Sequence, residues 1–252
     1  MNEPGRSTLT FVGSGDAFSS GGRLHTCIHV AADGTRFLLD CGASALAGMK
    51  RFGVEPLSIE TVLITHFHAD HFCGLPFLLI ESKLRKRTNP LAIAGPPGVA
   101  DFLDAALRVL FPGTAADFGF AIDFFEYQPG IALDVGPLRV RAFPVKHIPE
   151  TRPHALRVDV GAQAVGYSGD TEWTDTLLDA ARDTDVFVCE AATLDRPVKN
   201  HVDYETVRRH RPALACRSLI LTHMGPDVIA ATDRIRADGA AEPASDGLSI
   251  SF

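Results

Sequence analysis

Four apolar, strand-like runs in this chain end on a histidine or an aspartate: "VLIT" leads to His66, "VRAFPVK" to His147, "AVGYSG" to Asp170 and "LILT" to His223. Loops at strand ends are where a rigid scaffold holds its chemistry. One such coincidence carries little weight. Four of them, beside the crowded run His66-Phe67-His68-Ala69-Asp70-His71, point to a metal site assembled from distant parts of the sequence.

Imidazoles two positions apart, His66 and His68, can converge where the backbone between them curls. Asp70 and His71, at the start of the next helix, can then face a second position a few ångströms away. Neutral imidazole and carboxylate suit zinc, and also iron(II) or manganese. Two divalent ions about 3.5–4 Å apart need a shared carboxylate and a bridging hydroxide. Asp170, alone at its strand end, is the natural bridge.

The rest of the chain alternates short strand-like runs with helical ones. "CIHVAADGTRFLLDCG" reads as two strands around the turn Ala32-Asp33-Gly34. "HFCGLPFLLIESKLRKR" reads as one helix, basic at its end, and Trp173–Arg182 as another. "PGVADFLDAALRVLF", "DYETVRRHR" and the stretch from Pro226 complete the helices, and "DGLSISF" reads as a closing strand. This order predicts one α/β domain over residues 1–252, with mixed sheets covered by helices. At 46% hydrophobic residues the 252-residue chain can bury a core without disulfides. Its five cysteines include no C-x-x-C pair, which excludes both a disulfide framework and a cysteine-rich zinc knuckle.

A formal charge of −7 gives no overall basic field to draw nucleic acid or an anionic membrane. The one basic cluster, Lys83–Arg87, reads equally as the solvated end of a helix. The first residues lack an export signature, and no apolar run reaches the length of a membrane span. A cytoplasmic protein without membrane contact is the expectation.

With HxHxDH, a distant His, an Asp and a final His, the chain resembles the metallo-β-lactamase fold superfamily over nearly its whole length. The resemblance implies a four-layer αββα sandwich with a dinuclear site at one rim. It implies that His66, His68 and His147 bind one metal, that Asp70, His71 and His223 bind the other, and that Asp170 bridges them. The cofactors would be two divalent ions, zinc first, with Mn2+ or Fe2+ as alternatives. "PVKH", "GYSGDT" and "VCEAAT…NHVDYE" are similar to the ribonuclease Z and cyclic-nucleotide phosphodiesterase branch. There a Glu–His dyad, matched here by Glu190 and His201, protonates the leaving oxygen, and Asp70 orients the attacking hydroxide.

The long arm that ribonuclease Z inserts between the third and fourth motifs is missing, which argues against tRNA. A dinuclear phosphodiesterase acting on a small or cyclic phosphodiester is therefore expected. The branch also implies a homodimer, although no stretch marks an interface. A lactone, thioester or other carbonyl-ester hydrolase on the same metals is the alternative chemistry. An RNA-interacting or redox protein on the same fold is the alternative of another class. Asp16, Phe18 and Ser19 are candidates for shaping the substrate pocket, and Trp173 either walls it or begins a helix. His25 lies on the glycine-rich loop expected near the site, and Cys73 reads as a helix residue rather than a ligand.

Overall fold

The computed structural model describes residues 7–114 and 117–252. The first six residues, part of the stretch scanned for an export signature, lie outside them. The strands, in chain order, are β1 (Thr8–Gly13), β2 (Cys27–Ala32), β3 (Thr35–Leu39), β4 (Thr61–Leu63), β5 (Leu91–Gly95) and β6 (Ile122–Glu126), followed by β7 (Leu133–Val135), β8 (Leu138–Pro144), β9 (His154–Val160), β10 (Gln163–Tyr167), β11 (Thr184–Glu190), β12 (Cys216–Thr222), β13 (Glu242–Pro243) and β14 (Ser249–Ser251). They form two seven-stranded sheets, ordered β14-β1-β2-β3-β4-β5-β6 and β13-β12-β11-β10-β9-β8-β7.

Each sheet begins with antiparallel hairpins and continues with parallel strands. The first hairpin turns on Asp33 and Gly34, both at positive φ (47° and 78°), as a two-residue turn matching the strand twist requires. Parallel neighbours need crossovers, and helices supply them. In the first half these are α1 (Ala45–Arg51), α2 (Ala69–Phe72), α3 (Leu75–Leu84) and α4 (Val99–Leu110). In the second they are α5 (Thr176–Ala181), α6 (Tyr204–His210), α7 (Pro226–Ala230) and α8 (Thr232–Asp238).

Alternation along the strands builds the layers. Phe37, Leu63, Leu156, Val165, Val186, Val188 and Ile220 fill the space between the sheets. Leu38 and Val62 point the other way, onto Met49, Leu75, Leu78 and Leu103 of the first helical layer. Phe187, Leu219 and Leu221 likewise meet Leu177, Val207 and Val228 of the second. The result is helix, sheet, sheet, helix. Burying each such aliphatic or aromatic side chain is worth roughly 1.5–3 kcal/mol.

Two helices differ from the sequence reading. The run after His71 is not one helix: α2 stops at Phe72 and α3 starts at Leu75, with Gly74 between. A Cβ at Gly74 would stand 2.2 Å from the Gly42 carbonyl oxygen, and one at Gly42 would stand 2.1 Å from that of Asp70. Only glycines allow this approach, and it sets the Asp70–His71 turn against the segment Asp40–Gly42 that follows β3. The helix expected from Trp173 begins at Thr176. Nor is the Lys83–Arg87 stretch a free basic patch. Arg87 is buried and donates to the carbonyls of Ile59, Asn89 and Pro90, and Arg85 pairs with Glu55. No helix among the described residues is long and apolar enough to cross a membrane.

Candidate metal centre

Five strands deliver their following residues to one rim: β4 leads to His66, β8 to His147, β10 to Asp170, β11 ends in Glu190, and β12 leads directly to His223. The α2 turn adds His68, Asp70 and His71. Donor atoms of His66, His68, His147 and Asp170 all lie within 4.8 Å of one another, as do those of Asp70, His71, Asp170 and His223. Asp170 belongs to both groups. A third group, Glu190, His201 and His223, adjoins them.

The outer nitrogens of three imidazoles are tethered, which decides where their inner nitrogens point. His66 Nδ1 donates to Thr65 Oγ1 at 3.0 Å, whose hydroxyl donates to Asp40 at 2.8 Å. His71 Nδ1 donates to Asp40 Oδ2 at 2.7 Å, and His147 Nδ1 to the Asn200 carbonyl at 2.7 Å. Each therefore turns its Nε2 inward, the orientation control that metal-binding histidines need. His66 Nε2 and His147 Nε2 stand 3.1 Å and 3.0 Å from His68 Nδ1.

Asp170 Oδ1 and His71 Nε2 are buried without a hydrogen-bond partner. Lone pairs crowded this closely, with orphaned buried donor atoms beside them, fit divalent cations. The electrostatics agree. Burial, unaided by any cation, holds His66 well below its ordinary value and His147 at about 4, so both stay neutral. Burial acts against charge on His71 and His223 too, but the surrounding carboxylates outweigh it. Asp170, Asp70 and Asp40 raise His71, and Asp170 and Asp70 raise His223 to about 9. Burial likewise opposes ionisation of Asp70 and Asp170, yet the histidines hold both well below the usual carboxylate range. The cluster demands positive charge, and protons supply it wherever no cation does.

The Glu190–His201 pair sits at the edge of this cluster. Glu190 is fully buried, and its carboxylate accepts from His201 Nδ1 at 3.0 Å and from the Thr171 N–H. Burial pushes His201 down, but the Glu190 charge and hydrogen bond outweigh it and hold the imidazole above its ordinary value. Burial is also the main cause of the raised Glu190.

His201 opens onto a cavity of about 960 Å3, whose floor includes His68, Asp70, His147, Asp170 and His223. Asp16, Phe18 and Arg196 line it further out, and Phe18 is 90% exposed. Ser19 does not line it; at φ 55° it turns the loop that presents Phe18. Trp173 does not wall it either, being stacked on His210 at 4.0 Å. His25 packs beside Gly42, and its Nδ1 is buried without a partner. Cys73 caps α2 and joins none of the three donor groups.

Sequence reasoning passed over Asp40, Asn200 and Glu172. Asp40 (φ 59°) and Asn200 (φ 71°) adopt left-handed backbone. Asn200 opens the "NHVDYE" stretch read for His201, and Asp40 lies in the "FLLDCG" that ends the second hairpin strand, but no pattern singled out Glu172.

A profile of the family described as Anti-Pycsar protein Apyc1 matches residues 7–242. Ribonuclease Z of Mycobacterium bovis (strain BCG / Pasteur 1173P2) is 29% identical over 246 residues, spanning 87% of this chain and 86% of that protein. Among solved structures, the metallo-β-lactamase fold protein YhfI from Bacillus subtilis superposes with a TM-score of 0.79 at 19% identity. That match covers 98% of this chain and 100% of the other. The short form of human tRNase Z gives 0.77 at 22% identity, over 96% and 98%. At these identities the structural matches establish the metallo-β-lactamase fold.

Proposed function

Because the chain belongs to the Anti-Pycsar protein Apyc1 family, within the ribonuclease Z-like metallo-β-lactamase fold hydrolases, we propose that this metal-dependent hydrolase is a dinuclear phosphodiesterase acting on small or cyclic phosphodiesters. His66, His68 and His147 would hold one divalent ion, Asp70, His71 and His223 the second, and Asp170 both. Zinc suits this nitrogen-rich donor set, with Mn2+ and Fe2+ also accommodated. When bound, such a pair activates water near neutral pH and neutralises phosphoryl oxygens.

The protein's own groups do the rest. Asp70 orients the attacking water towards phosphorus. As the new P–O bond forms and the ester P–O bond breaks, the departing alkoxide needs a proton. His201 gives it, and Glu190 holds the imidazole by Nδ1 so that the opposite nitrogen is free to donate. That Glu190–His201 hydrogen bond, opening on the same cavity as the metal cluster, carries the proposal. A carbonyl ester with a good leaving group has less need of such an acid.

Substrate size follows from the walls. Between His147 and Asp170 the chain forms only a short turn, β9 and β10, with no arm to grip a large RNA. The formal charge of −7 opposes polyanion binding. A cavity of about 960 Å3 with an exposed phenylalanine suits a nucleotide-sized diester. The relative named ribonuclease Z supports phosphodiester chemistry.

The test is turnover of bis(p-nitrophenyl) phosphate and of nucleoside 3′,5′-cyclic monophosphates by fully metallated protein, beside a lactone and a thioester. Hydrolysis of the diesters is expected. Turnover of the carbonyl substrates alone would replace this reading with the carbonyl-ester one.

A further inference from the structure

Three segments that each carry a residue of the site are knotted together by one side chain outside it. Glu172 stands two positions after Asp170, Lys146 immediately before His147, and Asn200 immediately before His201. Glu172 Oε1 accepts from the Asn200 N–H at 3.0 Å, and Oε2 accepts from Lys146 Nζ. The Glu172 N–H donates back to the Lys146 carbonyl at 2.8 Å. Next to this, Lys146 N–H donates to Thr171 Oγ1 at 3.1 Å, and the Thr171 N–H donates to Glu190.

The Asn200 amide and carbonyl both take part, on opposite sides. While its N–H is held by Glu172, its carbonyl receives His147 Nδ1–H at 2.7 Å. Asn200 sits at φ 71°, left-handed backbone that asparagine tolerates better than other residues with a Cβ. Residues 195–197 on the same loop are exposed. From residue 195 to residue 200, the two bonds at Asn200 are the only hydrogen bonds among the described residues that reach outside the loop. His201 follows directly. The loop that carries the proton donor is thus fastened to the rim, just before that residue, through a carboxylate that touches neither donor group nor cavity.

We propose that Glu172 is a positioning residue. By holding the Asn200 amide it fixes the His201 imidazole against the leaving oxygen, and it keeps the Asn200 carbonyl on His147. This rests on the acid role proposed above for His201. It adds that the acid's placement depends on a carboxylate remote from the reacting atoms.

The experiment uses metal-loaded wild type, Glu172→Ala, Glu172→Gln and His201→Ala on two diesters. In methyl p-nitrophenyl phosphate the leaving phenolate needs no acid; in a nucleoside 3′,5′-cyclic monophosphate a sugar alkoxide leaves and does. Glu172→Ala is expected to lower kcat/KM for the cyclic substrate about 10–100-fold more than for the aryl one, chiefly in kcat. Glu172→Gln keeps an oxygen for the Asn200 N–H and should restore the wild-type ratio to within about threefold. Equal losses on both substrates, or none, would overturn the proposal, since a general loss of fold or metal cannot distinguish leaving groups.

If wild type turns over neither diester, or His201→Ala loses both equally, the reading of the reaction or of the acid fails instead. Hydrogen exchange then decides the positional claim. Faster exchange across residues 194–203 in Glu172→Ala but not in Glu172→Gln upholds it, and unchanged protection in both removes it.

Discussion

A departing alkoxide is a poor leaving group, and at the cavity edge His201 has its affinity for a proton raised mainly by the buried, hydrogen-bonded Glu190, with Asp170 adding to it. Replacing it with alanine should leave both metals bound, by elemental analysis, and lower turnover of alkyl-leaving diesters roughly 10²–10⁴-fold. The pH dependence follows in sign. A raised value carries protonated His201 to higher pH than a free imidazole, so kcat for an alkyl-leaving diester should fall as pH rises through that value. The p-nitrophenyl diester should lack this limb, and paired pH–rate profiles check it. Asp40 acts one bond further back, receiving His71 Nδ1 and the Thr65 hydroxyl on one buried oxygen. In Asp40→Asn one of the two accepting oxygens becomes an NH2, which cannot accept the Thr65 N–H that Oδ1 takes at 2.7 Å, so the turn must shift and metal affinity should drop about 10–100-fold in a competitive chelator titration.

At the scale of elements, the site depends on how closely α2 is pressed against the strand end preceding it. Gly42→Ala would place a methyl 2.1 Å from the Asp70 carbonyl oxygen and 2.7 Å from His25 Cβ. We expect it to cost about 1–3 kcal/mol in denaturant unfolding and to lower metal stoichiometry, because the turn bearing Asp70 and His71 must move. The same contact shows why one helix was expected where two exist. Apolar residues run from Phe72 to Leu84, but Pro76 has no N–H to bond the Phe72 carbonyl and sits in the first turn of α3, while Gly74 packs on Gly42, a partner distant in sequence. Strand ends were readable because β-branched runs stop abruptly at a charged or ligating residue, as "VLIT" does before His66. Glu172 and Asn200 were not, since a surface glutamate and a loop asparagine carry no pattern until folding brings Lys146, Glu172 and Asn200 together.

For the molecule as a whole, metal and fold are separable. Apolar side chains fill the layers, whereas the proposed ligands are gathered at one rim. Chelation should therefore abolish turnover while leaving the far-UV circular dichroism in place. Metal at 100 times its Kd should return about 2.7 kcal/mol, seen as a rise of several degrees in Tm for a chain of this length. Since the formal charge is −7, tRNA should show no salt-dependent retention in filter binding.

Asp70 and His223 meet at 3.2 Å although 153 positions separate them in sequence. At ribosomal speeds that interval lasts on the order of ten seconds. For that time the nascent polypeptide displays the crowded histidine turn with the last of its counterparts still unmade. On the ligand set proposed above, newly synthesised protein would hold an incomplete site for that time, and activity would begin only once β12 lies beside β11 and brings His223 to the rim.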